Sequence, residues 1–195
     1  MRVTIEIIGE KYPNLRKKIL KRFTVNVNPN IITTLALITS TFAGYYFYKN
    51  VLYLAASFVI VNSLLDILKR EIEKIYKNPQ ACSFLDHTFN RLSDTFILIG
   101  ISLNPLIPVK LGLLALGCVI LVSYLGTQAE ALTRKRLYRG IVGRTDRHAL
   151  IVFASFMTYS YIKSLYYGVW IILILSIVTF LQRFWIIHKE LKTVK

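Results

Sequence analysis

Residues 66–94 read DILKREIEKIYKNPQACSFLDHTFNRLSD. This stretch decides the fold, because it is a charged connection between two apolar runs and its acidic residues reach into both. Asp66 lies at the end of the preceding run, and Asp86, Asn90, Arg91 and Asp94 lie inside the following one. Ionisable groups at membrane depth are costly, and by default they mark a functional cavity. Positions 86, 90 and 94 are four apart and so stack on one helical face. The residues alone leave two readings open: a site, or a buried network of salt bridges and hydrogen bonds that joins two helices.

Working outward, the 195 residues are 54% hydrophobic with a mean hydropathy of +0.50, too apolar for an ordinary soluble domain. A bilayer-spanning helix needs about 20 apolar residues. Six such runs can be marked, at 31–48, 51–68, 84–103, 106–126, 148–166 and 168–187, although several are short or adjacent and five remains an alternative. The net charge of +15 is unevenly spread. Lys and Arg collect before the first run, between runs two and three, between runs four and five, and at the C-terminus, whereas Lys49, Lys110 and Lys163 stand alone in the other connections. Alternation of this kind follows the positive-inside rule; it predicts cytoplasmic termini and an even number of spans, which favours six. Basic charge beside anionic headgroups explains the balance better than nucleic-acid binding does. Cys82 and Cys118 form no paired motif and argue for neither disulfides nor zinc.

The expected fold is therefore an all-α integral membrane protein of six transmembrane helices, multi-pass in the cell membrane, forming a single domain over 1–195. Within it, 1–27 make a cytoplasmic or interfacial segment, and NLRKKILKRFT at 14–24 suits an amphipathic helix lying on the leaflet. Asn28-Pro29-Asn30 punctuates the passage into the first span. The N-terminus has no positive head followed by an apolar stretch, so no cleavable signal peptide is expected.

With these residues in view, the chain resembles the CDP-alcohol phosphatidyltransferase family, whose motif reads D-x2-D-G-x2-A-R followed, seven or eight residues on, by G-x3-D-x3-D. Asp66 and Asp86 stand on the first and third Asp, while Lys69 and Asn90 stand on the second and fourth. Arg70, Glu73, Lys74 and Cys82 take the Gly, Ala, Arg and second Gly positions. FLDHTFNRLSD at 84–94 is similar to the family's FLDSxxDRxxD block, and NPNIITTLAL at 28–37 to its PNxxT helix entry. Gly140, Arg144 and Arg147 form a G-x3-R-x2-R element like that of members using inositol phosphate as acceptor, including archaetidylinositol phosphate synthases. The resemblance covers nearly the whole chain. It implies a transferase of phospholipid synthesis that moves a phosphatidyl or archaetidyl group from a CDP-lipid to a polyol phosphate and releases CMP. It further implies two Mg²⁺ or Mn²⁺ ions held by four Asp, with the fourth as base at position 90, and a homodimer in the bilayer.

Charge arithmetic opposes the ordinary form of that site. Four aspartates offset two dications, whereas Asp66, Lys69, Asp86 and Asn90 carry about −1 together. Asn90 has no carboxylate to act as base, and Lys69 can replace a metal with an internal ion pair. Glu73, seven residues after Asp66, is a possible substitute metal ligand beside Asp66 and Asp86, and Asp94 a substitute ligand or base. His87 is more in keeping with packing or hydrogen bonding beside the site. Arg144 and Arg147, with Arg91, suit substrate phosphate, their alternative being headgroup-binding charge. The functional expectation is a transferase, using Mg²⁺ or Mn²⁺ in other than the usual two-metal set if active. The alternative is a catalytically inactive paralogue that binds lipid or nucleotide or serves as a partner subunit, and a small transporter or channel is a weaker third.

Overall fold

The computed structural model describes residues 29–73, 79–133 and 141–193, and these are organised as helices. In chain order they are α1 (Pro29–Tyr48), α2 (Leu52–Glu73), α3 (Pro79–Ser102), α4 (Val109–Thr133), α5 (Arg144–Met157) and α6 (Ser164–Thr193). The expected interfacial helix at 14–24 lies outside the described residues, as do Lys74 and the Gly140 of the arginine element.

Each of the six expected spans has a helix, and the fifth differs in extent. The run at 148–166 holds α5 only to Met157, with turns from 158 to 163 before α6 begins. The Thr158 hydroxyl accepts from the Leu165 amide at 3.2 Å and donates to the Ala154 carbonyl at 2.7 Å, so a side chain bridges this turn. At 14 residues α5 is about 21 Å long, short of a hydrocarbon core of about 30 Å. Helices α1, α2, α4 and α6 are long and apolar enough to cross a membrane. Their outward side chains, such as Leu35, Phe42, Leu64, Leu114, Ile174 and Leu181, are exposed and apolar. The polar side chains Asn62, Lys69, Asp94, Arg147 and His148 are instead buried. That distribution is the reverse of a soluble protein's and fits a multi-pass membrane protein.

The closest helix contacts run in a closed circuit: α1 to α2, α2 to α5, α5 to α6, α6 to α4, α4 to α3, and α3 back to α1. Small residues set the α1–α3 crossing. A Cβ on Gly100 would overlap the backbone of Gly44, and one on Gly44 would overlap the Phe96 carbonyl. Such contact through small residues is how helices gain packing energy where lipid offers no hydrophobic drive. Ala43, Phe47, Val59, Ile97, Ile101 and Ile172 belong to the core that fills the circuit. At one end, Asn104 in the α3–α4 turn donates to the Phe47 carbonyl at 2.6 Å and to Asn50 Oδ1 at 3.1 Å, and accepts from the Leu106 amide at 2.9 Å. Asn50 itself is left-handed (φ 59°), a conformation that Asn tolerates better than most residues. The charged residues gather toward the opposite end, where α2 finishes and α5 begins.

Candidate charged site

Three helix faces converge. On α2, Asn62, Asp66 and Lys69 follow helical spacing; on α3, Asp86, Asn90 and Asp94 do the same; on α5, Arg144, Arg147 and His148 share the first turns. The start of α5 is fixed locally, because the Asp146 carboxylate accepts from the Gly143 amide at 2.9 Å and sits at the favourable positive end of the helix dipole.

Arg144 is the hub. Its Nη1 donates to Asp66 Oδ2 and, at 2.5 Å, to Asn90 Oδ1; its Nε donates to Asp94 Oδ1 at 2.8 Å; its Nη2 donates to Asn62 Oδ1 at 3.2 Å. Asp94 is also held by Arg147 Nη2 at 2.7 Å. His148 reaches Asp94 Oδ1 with Nε2 at 3.2 Å and Ser63 Oγ with Nδ1 at 3.0 Å. A carboxylate only accepts, so the imidazole carries a proton on Nε2, while the Ser63 hydroxyl also donates to the Val59 carbonyl at 2.9 Å. Lys69, 1% exposed, is ion-paired with Asp86.

Asn90 links the two groups. Its Nδ2 donates to Asp86 Oδ1 at 2.5 Å while its Oδ1 accepts from Arg144. The partners fix the amide's orientation, since arginine only donates and an ionised carboxylate only accepts. An aspartate at this position has no proton to give Asp86, and the two carboxylates would repel. The asparagine is therefore part of the arrangement's chemistry, as is the replacement at position 69. Asp66, Asp86 and Asp94 are matched in charge by Lys69, Arg144 and Arg147.

The other expected site residues fall as follows. Arg91 donates to the Ser123 carbonyl at 3.1 Å and to the Thr127 hydroxyl at 3.3 Å, facing α4. His87 Nδ1 is 3.7 Å from Asp86 Oδ2, and Arg70 is exposed. Glu73 ends α2, but its side chain, like that of Cys82 in α3, lies outside the described residues. Lys69 forms its pair with Asp86 across the helix interface, whereas its nearer neighbour in sequence, Asp66, belongs to Arg144. The guanidinium groups of Arg144 and Arg147 are turned onto internal carboxylates. The void beside Asp94, Arg147 and His148 measures about 10 Å³, enough for one water and too small for a phosphate. Sequence reasoning missed Asn62, Ser63 and His148. For Asn62 a signal was present: it stands four before Asp66, as Asn90 stands four before Asp94.

These residues do not fit a pair of divalent cations. Mg²⁺ and Mn²⁺ need several free hard oxygens. Here an ammonium engages Asp86 and a guanidinium engages Asp66 and Asp94. Among the described residues no group of three or more His, Cys, Asp or Glu is placed to hold a metal ion. One oxygen, Asp66 Oδ1, is buried without a hydrogen-bond partner; a lone oxygen does not make a two-cation site.

Comparison with known proteins gives this geometry a setting. The chain is 32% identical over 170 residues to the archaetidylinositol phosphate synthase of Pyrococcus horikoshii, spanning 87% of this chain and 88% of that protein. It is 28% identical over 159 residues to the enzyme of the same name from Methanothermobacter thermautotrophicus, spanning 78% and 81%. Its fold matches Mycobacterium tuberculosis phosphatidylinositol phosphate synthase solved with CDP-DAG, with a TM-score of 0.75 at 22% identity over 88% of this chain and 92% of that one. The same enzyme solved with manganese and citrate matches with a TM-score of 0.76 at 22% identity, covering 88% of each chain. No protein-family model matches the sequence. Relatedness along nearly the whole chain shows that this protein belongs to the CDP-alcohol phosphatidyltransferase family.

Proposed function

We propose that this protein is a catalytically silent member of its family, serving membrane phospholipid synthesis as a non-transferring paralogue that acts by binding or as a partner subunit. The observation that carries the reading is the buried Lys69–Asp86 ion pair, bridged through Asn90 to Arg144. A cation of the protein's own stands at the position of one expected carboxylate, and the expected base is an amide. General-base chemistry needs a group that accepts the acceptor's proton, and an amide does not. The single domain would sit in the bilayer with its six helices, α5 together with the turn after it making the fifth passage, and with both termini and the charged site on the cytoplasmic side, in line with the basic connections.

A second reading has one observation in its favour, the orphaned Asp66 Oδ1. On that reading the protein transfers a phosphatidyl or archaetidyl group from a CDP-lipid to a polyol phosphate, as the names of its relatives suggest, with another ligand set. The discriminating experiment is CMP release by purified protein. CDP-archaeol or CDP-diacylglycerol is supplied with inositol phosphate or glycerol phosphate, and with Mg²⁺ or Mn²⁺. The silent reading expects no CMP above a protein-free control in any combination. Release that disappears in Asp66→Ala would sink it and establish the second reading.

A further inference from the structure

Four side-chain oxygens surround one guanidinium. Asp66 Oδ2, Asn62 Oδ1, Asn90 Oδ1 and Asp94 Oδ1 all accept from Arg144, and they come from two matching Asn-x3-Asp pairs, one on α2 and one on α3. Each amide is oriented by a second partner. Asn62 Nδ2 donates to the Ala36 carbonyl of α1 at 2.5 Å, and Asn90 Nδ2 donates to Asp86. The cage oxygens are thus aimed inward by the helices behind them. Asn62 is fully buried, and Asp66 and Asp94 are each 7% exposed. Two carboxylates and two amide oxygens are a hard, all-oxygen donor set of the kind that also holds divalent metals.

We propose that Arg144 is the resident cation of this four-oxygen cage, a guanidinium carried on α5 that pairs with Asp66 and shares Asp94 with Arg147, so that the helices assemble without metal. The cage differs from the family's four-Asp motif in using Asn62 and Asp94, and the inference stands with or without metal-free transfer. Its consequence is a latent metal site: removing the guanidinium leaves Asp66 without its counter-ion, Asp94 held by Arg147 alone among the cations, and two aligned carbonyl oxygens, a set that attracts a dication of matching size.

The test uses the full chain in detergent micelles, with Mn²⁺ alone as probe. Wild-type protein is expected to leave the EPR signal of free Mn²⁺ undiminished, and its melting midpoint should not respond to Mn²⁺ or EDTA. Arg144→Ala should bind Mn²⁺ about tenfold more tightly than wild type, or better, with a midpoint that rises as Mn²⁺ is added. Adding Asp94→Asn to that variant should remove the gain. Where Arg144→Ala does not yield folded protein, Arg144→Gln serves the same comparison. The proposal is overturned if wild-type protein takes up Mn²⁺ stoichiometrically and Asp66→Asn abolishes the uptake. It is also overturned if the folded Arg144 variant binds no more Mn²⁺ than wild type does. CMP release by wild-type protein in EDTA would refute the silent reading and leave Arg144 as the resident cation, whereas Mn²⁺-dependent release would refute both.

Discussion

The two ends of the helix circuit solve the burial of polar groups in opposite ways. Near Asn104 the α1–α2 and α3–α4 turns are stitched by one neutral amide, which meets backbone groups and the Asn50 side chain. At the other end, asparagines are set among aspartates, arginines and a lysine; the ion pairs cross between helices, and the Asn90–Asp86 bond runs within α3. The neutral end costs little to assemble, because an amide that keeps its hydrogen bonds in the interior loses little relative to water. The charged end carries the desolvation of several ions, and it holds together only while each charge keeps its counterpart. Lys69, Arg144 and Arg147 supply those counterparts to Asp66, Asp86 and Asp94.

The comparison can be broken from the charged side first. Lys69→Ala strands the Asp86 carboxylate beside a buried interface, and removing one partner of a buried pair costs about 3–5 kcal/mol. A large fall in the denaturation midpoint in micelles is the expected result, and a change no bigger than that of a surface substitution would mean the pair is not formed. Asn90→Asp comes next. It deletes the donor to Asp86 and adds a like charge, for an expected loss of about 2–3 kcal/mol by the same measurement. Asn104→Ala should cost less, about 1–2 kcal/mol, for a neutral group that leaves the Phe47 carbonyl and Leu106 amide short of a partner. That loss should be insensitive to ionic strength, unlike any effect at exposed charges. Smallest is Arg91→Lys, which keeps the charge but gives up the planar fork toward Ser123 and Thr127; about 1 kcal/mol is expected, read as a modest shift in the same midpoint. If Asn104→Ala proved the most damaging of the four, the contrast between the ends would be reversed.

Much of the fold was legible in the chain. Long apolar runs with isolated Asn, Pro or Gly between them marked the helices, and each described helix lies on an expected run. The break after Met157 was not legible, because Tyr159, Tyr161 and Ile162 look like a continuing span and the turn depends on the Thr158 hydroxyl finding Leu165. Of the site, Asp66, Asp86, Asp94, Arg144 and Arg147 stood out as charges at membrane depth or in a spaced basic element. Ser63 and His148 did not, since a single polar residue in an apolar run has no spacing to announce it until its partner on another helix is known; Asn62 had its spacing to Asp66, but its role depends on where α5 places Arg144.

The sequence by itself determined the apolar spans, the placement of basic connections, and the substitutions at Lys69 and Asn90 that oppose two-metal binding. Periodicity and charge count suffice for those, because both act along one helix or over the chain as a whole. Only the tertiary structure decided the pairing. Lys69 has Asp66 three residues away on its own helix, yet the packing of α2 and α3 on α1 gives it Asp86, and the first turn of α5 delivers Arg144 to Asp66. Ion pairs form between charges that come within a few ångströms in a low-dielectric interior, and that proximity is set by which helices cross.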